Sequence, residues 1–165
     1  MRIGVLVCTG LLLAPATAPQ PAASQVRLVE PAHPAVATRS VEHVMVLIVG
    51  AASPVQHLEV IDVRKLFLGL TVFNNSQQLR ALDNHSDETL HQAFLQNVIA
   101  MPERAYERRL LSITLQQGAR RPQVFTTPRE LLEAVATDPG AVSVAWATDV
   151  EGDHRIRVLR VLWRD

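Results

Sequence analysis

The chain has 165 residues, of which 48% are hydrophobic and 19% charged, with 16 basic and 16 acidic side chains. This length and composition indicate one compact globular domain and exclude a disordered chain. The balanced charge excludes a general nucleic-acid binder, and the single cysteine excludes a disulfide framework or a metal site built from several thiolates.

The N-terminus has the organisation of a secretory signal. Met1-Arg2 supplies positive charge, 3–13 is an apolar run, and small residues follow. The run is shorter than the roughly 20 apolar residues that cross a bilayer. We therefore predict a signal peptide at 1–24, a Pro/Ala-rich linker at 25–41 and a folded domain at 42–165. The protein is expected to be periplasmic or secreted, with no membrane span after signal cleavage.

Within the domain, predicted strands alternate with predicted helices. The apolar run at 44–50 has no alternating polar positions, so it predicts a strand buried on both faces. The later elements, in chain order, are a helix at 60–68, a turn at Asn74-Asn75, a strand at 78–82, a helix capped by Ser86, a helix at 102–115, a helix beginning at Thr127-Pro128, a strand at 141–147 and an edge strand at 156–163. This alternation indicates the α/β class.

A polar segment before the second predicted helix carries possible metal ligands. If that helix begins after Ser86, Asp87 and Glu88 lie one turn before His91 on neighbouring positions of one face. Together with Asp83, these side chains offer the oxygen and imidazole ligands that bind divalent ions. The alternative is a polar loop whose acids are stabilised by the helix dipole. Both interpretations stay open at this point.

Two other kinds of site have weaker support in the sequence. No Gly-x-Ser-x-Gly segment is present, so a serine hydrolase is not indicated. We expect neither enzymatic activity nor a cofactor. Arginines can line an anion site, and five of them are close in sequence: Arg104, Arg108, Arg109, Arg120 and Arg121. Because Glu103 and Glu107 alternate with the first three, an exposed helical face with local ion pairs is favoured.

Several short motifs follow one another in a recognisable order. Ser53-Pro54 precedes a helix that ends in Phe67-Leu68-Gly69, and a later helix contains a central Phe94. Near the C-terminus, Glu130 begins a helical block and Pro139-Gly140-Ala141 begins a strand. This order resembles short periplasmic domains of the phosphate ABC transporter substrate-binding group, over roughly residues 44 to 162.

The resemblance implies a compact, single-domain version of the type II periplasmic-binding-protein fold. It implies binding of phosphate or another small anion, and a partner such as an ABC transporter permease or another envelope protein. In that group, hydroxyls and an arginine at a helix N-terminus hold the phosphate; here Glu88 takes a serine position and His91 the arginine position.

The expected ligand contacts lie at two places in the chain. The loop after the first strand is predicted to face the start of the helix near Ser86, and the candidate residues are Ser53, Asp83, Ser86, Thr89 and His91. The replacements at the serine and arginine positions motivate a second hypothesis. In it, the domain has lost its ligand and acts as an interaction or sensory partner in the cell envelope. Divalent-metal binding is a third hypothesis.

Overall fold

The structure, a computed structural model, describes residues 42–165. The predicted signal peptide and linker lie outside these residues. The strands are β1 (Val44–Gly50), β2 (Phe73–Asn74), β3 (Gln77–Gln78), β4 (Arg80–Asn84), β5 (Gln123–Phe125), β6 (Ala141–Trp146) and β7 (Ile156–Arg164). The helices are α1 (Val60–Phe67), α2 (Glu88–Phe94), α3 (Glu103–Gln117), α4 (Pro128–Thr137) and α5 (Ala147–Val150), and a π-helical segment, Leu95–Ile99, extends α2.

Five strands form one mixed sheet in the order β5-β4-β6-β1-β7, and β2 pairs with β3 in a separate hairpin. β4 is parallel to both β5 and β6. β1 runs antiparallel to its two neighbours, β6 and β7. β1 and β4 therefore run in opposite directions. The loop after β1 and the loop after β4 leave the sheet at opposite ends of the strands.

Helices cover both faces of this sheet, as the apolar pattern of β1 predicts. Met45, Leu47 and Val49 belong to one apolar cluster, which includes residues of α1, α2 and α3. Val46 and Ile48 alternate with them and belong to a second cluster, which includes residues of α4. Alternation of side chains along a strand thus buries the whole of β1 between two layers. The predicted α/β class is confirmed.

Local details differ from the predictions at several element ends. Asp87, not Ser86, is the N-cap of α2, because its carboxylate accepts a hydrogen bond from the backbone N–H of Leu90. The tight turn lies at Asn75-Ser76, where both φ angles are positive, as hairpin turns between short strands require. β5, α5 and the π-helical segment are short elements that the hydrophobic pattern does not reveal.

The predicted edge position of the C-terminal strand is confirmed, since β7 is the last strand of the sheet. Every third residue of β7, namely Val158, Val161 and Arg164, is exposed, and the other six are half-buried. Among residues 42–165, no helix combines the length and the apolar character needed to cross a membrane.

Candidate functional site

The turn between β4 and α2 is held by the side chain of Asn84. Its amide Nδ2 donates to the carbonyl oxygen of Val144 over 3.0 Å and so ties the end of β4 to β6. Its Oδ1 accepts from the backbone N–H of Ser86 at 3.0 Å and from the Ser86 hydroxyl at 2.6 Å. An asparagine that bonds two residues ahead forms a local turn without further support. This turn sets the direction in which α2 leaves the sheet.

The first turn of α2 is acidic, and its acids already have protein partners. The Asp87 carboxylate caps Leu90 N–H at 2.8 Å, and Glu88 Oε1 accepts from Gln92 Nε2 at 2.8 Å. Asp87 and Glu88 therefore do not join Asp83 and His91, which corrects the metal-ligand set expected from helical spacing. The same carboxylates repel an anion at this helix start.

Behind the turn, three titratable side chains come together. Asp83 is 3% exposed and His91 4% exposed, whereas His85 is partly accessible to solvent. His85 Nε2 lies 3.2 Å from Asp83 Oδ2, and His91 Nδ1 lies 3.9 Å from Asp83 Oδ1. The two imidazole rings are 4.0 Å apart between centroids. We call Asp83, His85 and His91 the β4–α2 cluster.

Burial is the largest influence on the pKa values of Asp83 and His91. It raises the pKa of Asp83, while the neighbouring charges of His85 and His91 act in the opposite direction. Burial likewise lowers the pKa of His91, although the Asp83 carboxylate opposes this shift. A neutral His91 beside a carboxylate does not replace the charge of an arginine.

Ser53 lies at the other end of the sheet. Val49 of β1 pairs with Val142, and Arg80 at the start of β4 pairs with Ala141, so the loop after β1 adjoins the beginning of β4 and β6. The Ser53 hydroxyl donates to the carbonyl oxygen of Pro139 over 2.6 Å. The predicted juxtaposition of Ser53 with the start of α2 is therefore wrong, because β1 is antiparallel to β6.

Of the other predicted contacts, Asp83 and His91 adjoin each other, Ser86 belongs to the Asn84 turn, and Thr89 is exposed in the first turn of α2. A ligand-binding role for Ser86 and Thr89 stays a prediction. His85 is the member of the cluster that helical spacing missed, since it precedes the helix. Its position two residues after Asp83 in an extended segment, which brings alternate side chains to one side, was the available signal.

An open cavity of about 720 Å³ lies beside the first half of β4. Its lining includes Arg80, Arg120 and Arg121 and no acidic residue. Gly69, just after α1, has φ +81°, and a Cβ there would lie 3.2 Å from the carbonyl oxygen of Arg120. A glycine is therefore needed where the chain at Arg120 approaches the end of α1. Two of the five arginines considered in the sequence thus line a concave surface.

The charges of these arginines are partly compensated. Arg80 Nη1 lies 3.0 Å from Asp138 Oδ2, and Arg121 pairs with Glu107. Among the ion pairs of residues 42–165, Arg120 has no acidic partner. The cavity therefore carries an excess of positive charge, whereas the start of α2 carries the carboxylates of Asp87 and Glu88.

Comparison with solved structures identifies the fold. An ABC-type phosphate transport receptor from Vibrio cholerae superposes with a TM-score of 0.54 at 13% identity, over 72% of this chain and 46% of that one. A Clostridium perfringens protein described as a phosphate ABC transporter substrate-binding protein, solved with bound phosphate, gives 0.56 at 12% identity, over 72% and 45%. PstS from Borrelia burgdorferi gives 0.51 at 9% identity, over 72% and 47%.

The chain has a periplasmic-binding-protein-like fold. This confirms the fold expected from the order of the sequence motifs. The periplasmic-binding-protein-like domain spans about half the length of the receptors that it resembles. No protein-family model and no curated protein matches its sequence.

Proposed function

We propose that the chain is an extracytoplasmic binding domain that binds a small anion and catalyses no reaction. The observation that carries the proposal is the fold shared with the three solved proteins, two of which are phosphate-transport proteins by their names. The signal-like N-terminus supports a location outside the cytoplasm. An ABC transporter permease or another envelope protein remains the predicted partner.

Charge distinguishes two places where the anion could bind. At the start of α2, Ser86 and Thr89 offer hydroxyls, but Asp87 and Glu88 stand beside them. In the cavity, Arg120 offers a guanidinium that has no acidic partner within residues 42–165, and its planar set of donors suits phosphate and carboxylate oxygens. We therefore propose that the arginine-lined cavity holds the anion. The cavity is larger than one phosphate ion, which leaves room for a phosphate ester.

Phosphate titrations of the full chain and of single-residue variants test both the activity and its location. At about 100 times the Kd, a ligand adds about 2.7 kcal/mol to the free energy of unfolding, which for this size of domain raises the Tm by several degrees. We expect this rise with inorganic phosphate or a phosphomonoester. We expect Arg120→Gln to reduce it and Arg129→Gln to leave it unchanged, since Arg129 is exposed on α4 outside the cavity.

Ser86→Ala tests the alternative location of the anion, at the start of α2. A loss of the phosphate effect in Ser86→Ala but not in Arg120→Gln would contradict the cavity and place the ligand at α2. If neither phosphate nor the phosphomonoester changes the Tm at millimolar concentration, the proposed binding of phosphate or a phosphate ester is wrong. The ligand-free interaction domain would then be the better hypothesis.

A further inference from the structure

We propose that the β4–α2 cluster binds a divalent transition-metal ion, with Zn²⁺ as the reference ion. Asp83, His85 and His91 each offer one ligand atom, and these atoms all lie within 4.8 Å of one another. The site is separate from the arginine-lined cavity and does not depend on anion binding there.

The first argument is that the fold buries polar atoms of this cluster without giving them partners. Asp83 Oδ1 and His91 Nδ1 have no hydrogen-bond partner within residues 42–165, although both side chains are more than nine-tenths buried. A buried polar atom left unpaired costs about 1–3 kcal/mol. These two atoms face each other at 3.9 Å, and a metal ion placed between them would bond to a lone pair of each.

The second argument is the spacing of the three side chains. In a tetrahedral zinc site, bonds of about 2.0–2.2 Å place neighbouring ligand atoms about 3.3 Å apart. The separation of His85 Nε2 from Asp83 Oδ2 is 3.2 Å, and that of His91 Nδ1 from Asp83 Oδ1 is 3.9 Å. These two distances end on different oxygens of Asp83. With one ligand atom from each side chain, the three atoms lie within 4.8 Å of one another, so they approach by at most about 1.5 Å to reach tetrahedral spacing.

The third argument is the rigidity of the support. Asp83 lies in β4, where it is paired with Val124 of β5. The backbone N–H of His85 donates to the Phe125 carbonyl oxygen at 2.8 Å, and the Asn84 side chain joins the same segment to β6. His91 is on the second turn of α2. Ligands carried by a strand, a bonded turn and a helix are held in place before the ion arrives.

The fourth argument is electrostatic. Glu88 and Glu103 are close enough to act on His91, and Glu107, although it is paired with Arg121, is close enough to act on Asp83. These carboxylates, together with Asp83, attract a cation. His85 is the least buried member, with 32% of its side chain exposed, and it provides the path by which an ion enters from solvent.

The donor set selects the class of ion. Two imidazoles and one carboxylate suit Zn²⁺, Co²⁺ or Fe²⁺ better than Ca²⁺ or Mg²⁺, which prefer oxygen ligands throughout. Three protein ligands leave a fourth tetrahedral position for water. The inference is thus a three-ligand zinc-type site between the end of β4 and the second turn of α2.

Calorimetric titration of the chelator-treated full chain with ZnCl₂ tests this inference. We expect one ion per chain, and visible absorption bands of tetrahedral Co²⁺ when cobalt replaces zinc. His85→Ala removes a partly exposed ligand without opening the core, and it is expected to weaken Zn²⁺ binding at least about tenfold. Asp83→Asn, which preserves the side-chain shape, is expected to abolish the cobalt bands. Circular dichroism checks that both variants are folded.

Two controls separate this site from other zinc ligands. His57 Nε2 lies 2.6 Å from Glu59 Oε1, an exposed pair that could hold zinc weakly, so His57→Ala is expected to retain the ion. Cys8→Ser removes the only thiol of the chain and is also expected to retain it. No zinc binding by the full chain, or equal affinity in His85→Ala, overturns the inference. Phosphate titration of His85→Ala, expected to match that of the unaltered chain, keeps this result distinct from the proposed anion site.

Discussion

Replacing Phe94 with alanine is expected to lower the free energy of unfolding by about 3–5 kcal/mol, the range for large aromatic residues in a close-packed core. Phe94 is 0% exposed and lies at the junction of α2 with the main apolar cluster. Its ring meets that of Phe67 on α1 edge to face, with 4.7 Å between centroids. The substitution removes this contact and leaves a cavity that the surrounding helices cannot fill. Urea denaturation followed by circular dichroism measures the effect.

Phe73→Ala is the matched control, because the same side chain is removed from a position that is 64% exposed. It is expected to change stability by less than about 0.5 kcal/mol. Because a loss of 3–5 kcal/mol approaches the whole stability of many domains, Phe94→Leu serves as a milder variant with an intermediate effect. Equal denaturation midpoints for Phe94→Ala and Phe73→Ala would show that α2 does not pack on α1 as described.

Asn84→Ala is the second substitution with a large expected effect, a loss of about 2–3 kcal/mol. The truncation leaves the buried carbonyl of Val144 and the backbone N–H of Ser86 without their present partners. It also frees the segment that carries His85. We therefore expect lower stability together with weaker Zn²⁺ binding, measured by denaturation and by calorimetric titration on the same samples.

Asn74→Ala is the control for Asn84→Ala. Asn74 makes one hydrogen bond through its side-chain amide, to the His57 carbonyl oxygen at an exposed position, and its loss is expected to cost under about 1 kcal/mol. Zinc binding should be unchanged in this variant. Unaltered stability of Asn84→Ala would contradict the role of Asn84 in joining β4 to β6. Unaltered zinc affinity in a destabilised variant would show that the turn does not position His85.

The two ends of β4 carry opposite charge, and this bears on how the domain relates to the receptors of similar fold. The α2 start, where the sequence resemblance implies a phosphate site, contains Asp87 and Glu88 and adjoins the buried Asp83. The positive groups lie at the other end of the strand, around Arg120. A shared fold can therefore accompany a different place for the ligand, since the fold positions backbone elements and the side chains decide where an anion binds.

The layered α/β architecture could be predicted because its evidence is local. The unbroken apolar run of β1 indicates burial on both faces, and the spacing of Val63, Leu66 and Phe67 indicates one buried face of α1. The order of short motifs also predicted the periplasmic-binding-protein-like fold. Helix ends were less certain, since Ser86 and Asp87 are both good capping residues and only one of them points at the backbone N–H of Leu90.

The candidate sites depended on contacts that no local pattern encodes. Strand order and direction arise from pairing between distant segments, so the antiparallel course of β1, and with it the separation of Ser53 from α2, was invisible in the sequence. His91 joins Asp83 and His85 only because the Asn84 turn sets the direction in which α2 leaves the sheet. The sequence by itself determined the layers, through the periodic burial of apolar residues. Tertiary structure alone decided which polar residues meet, because their meeting depends on strand direction and on single side-chain hydrogen bonds.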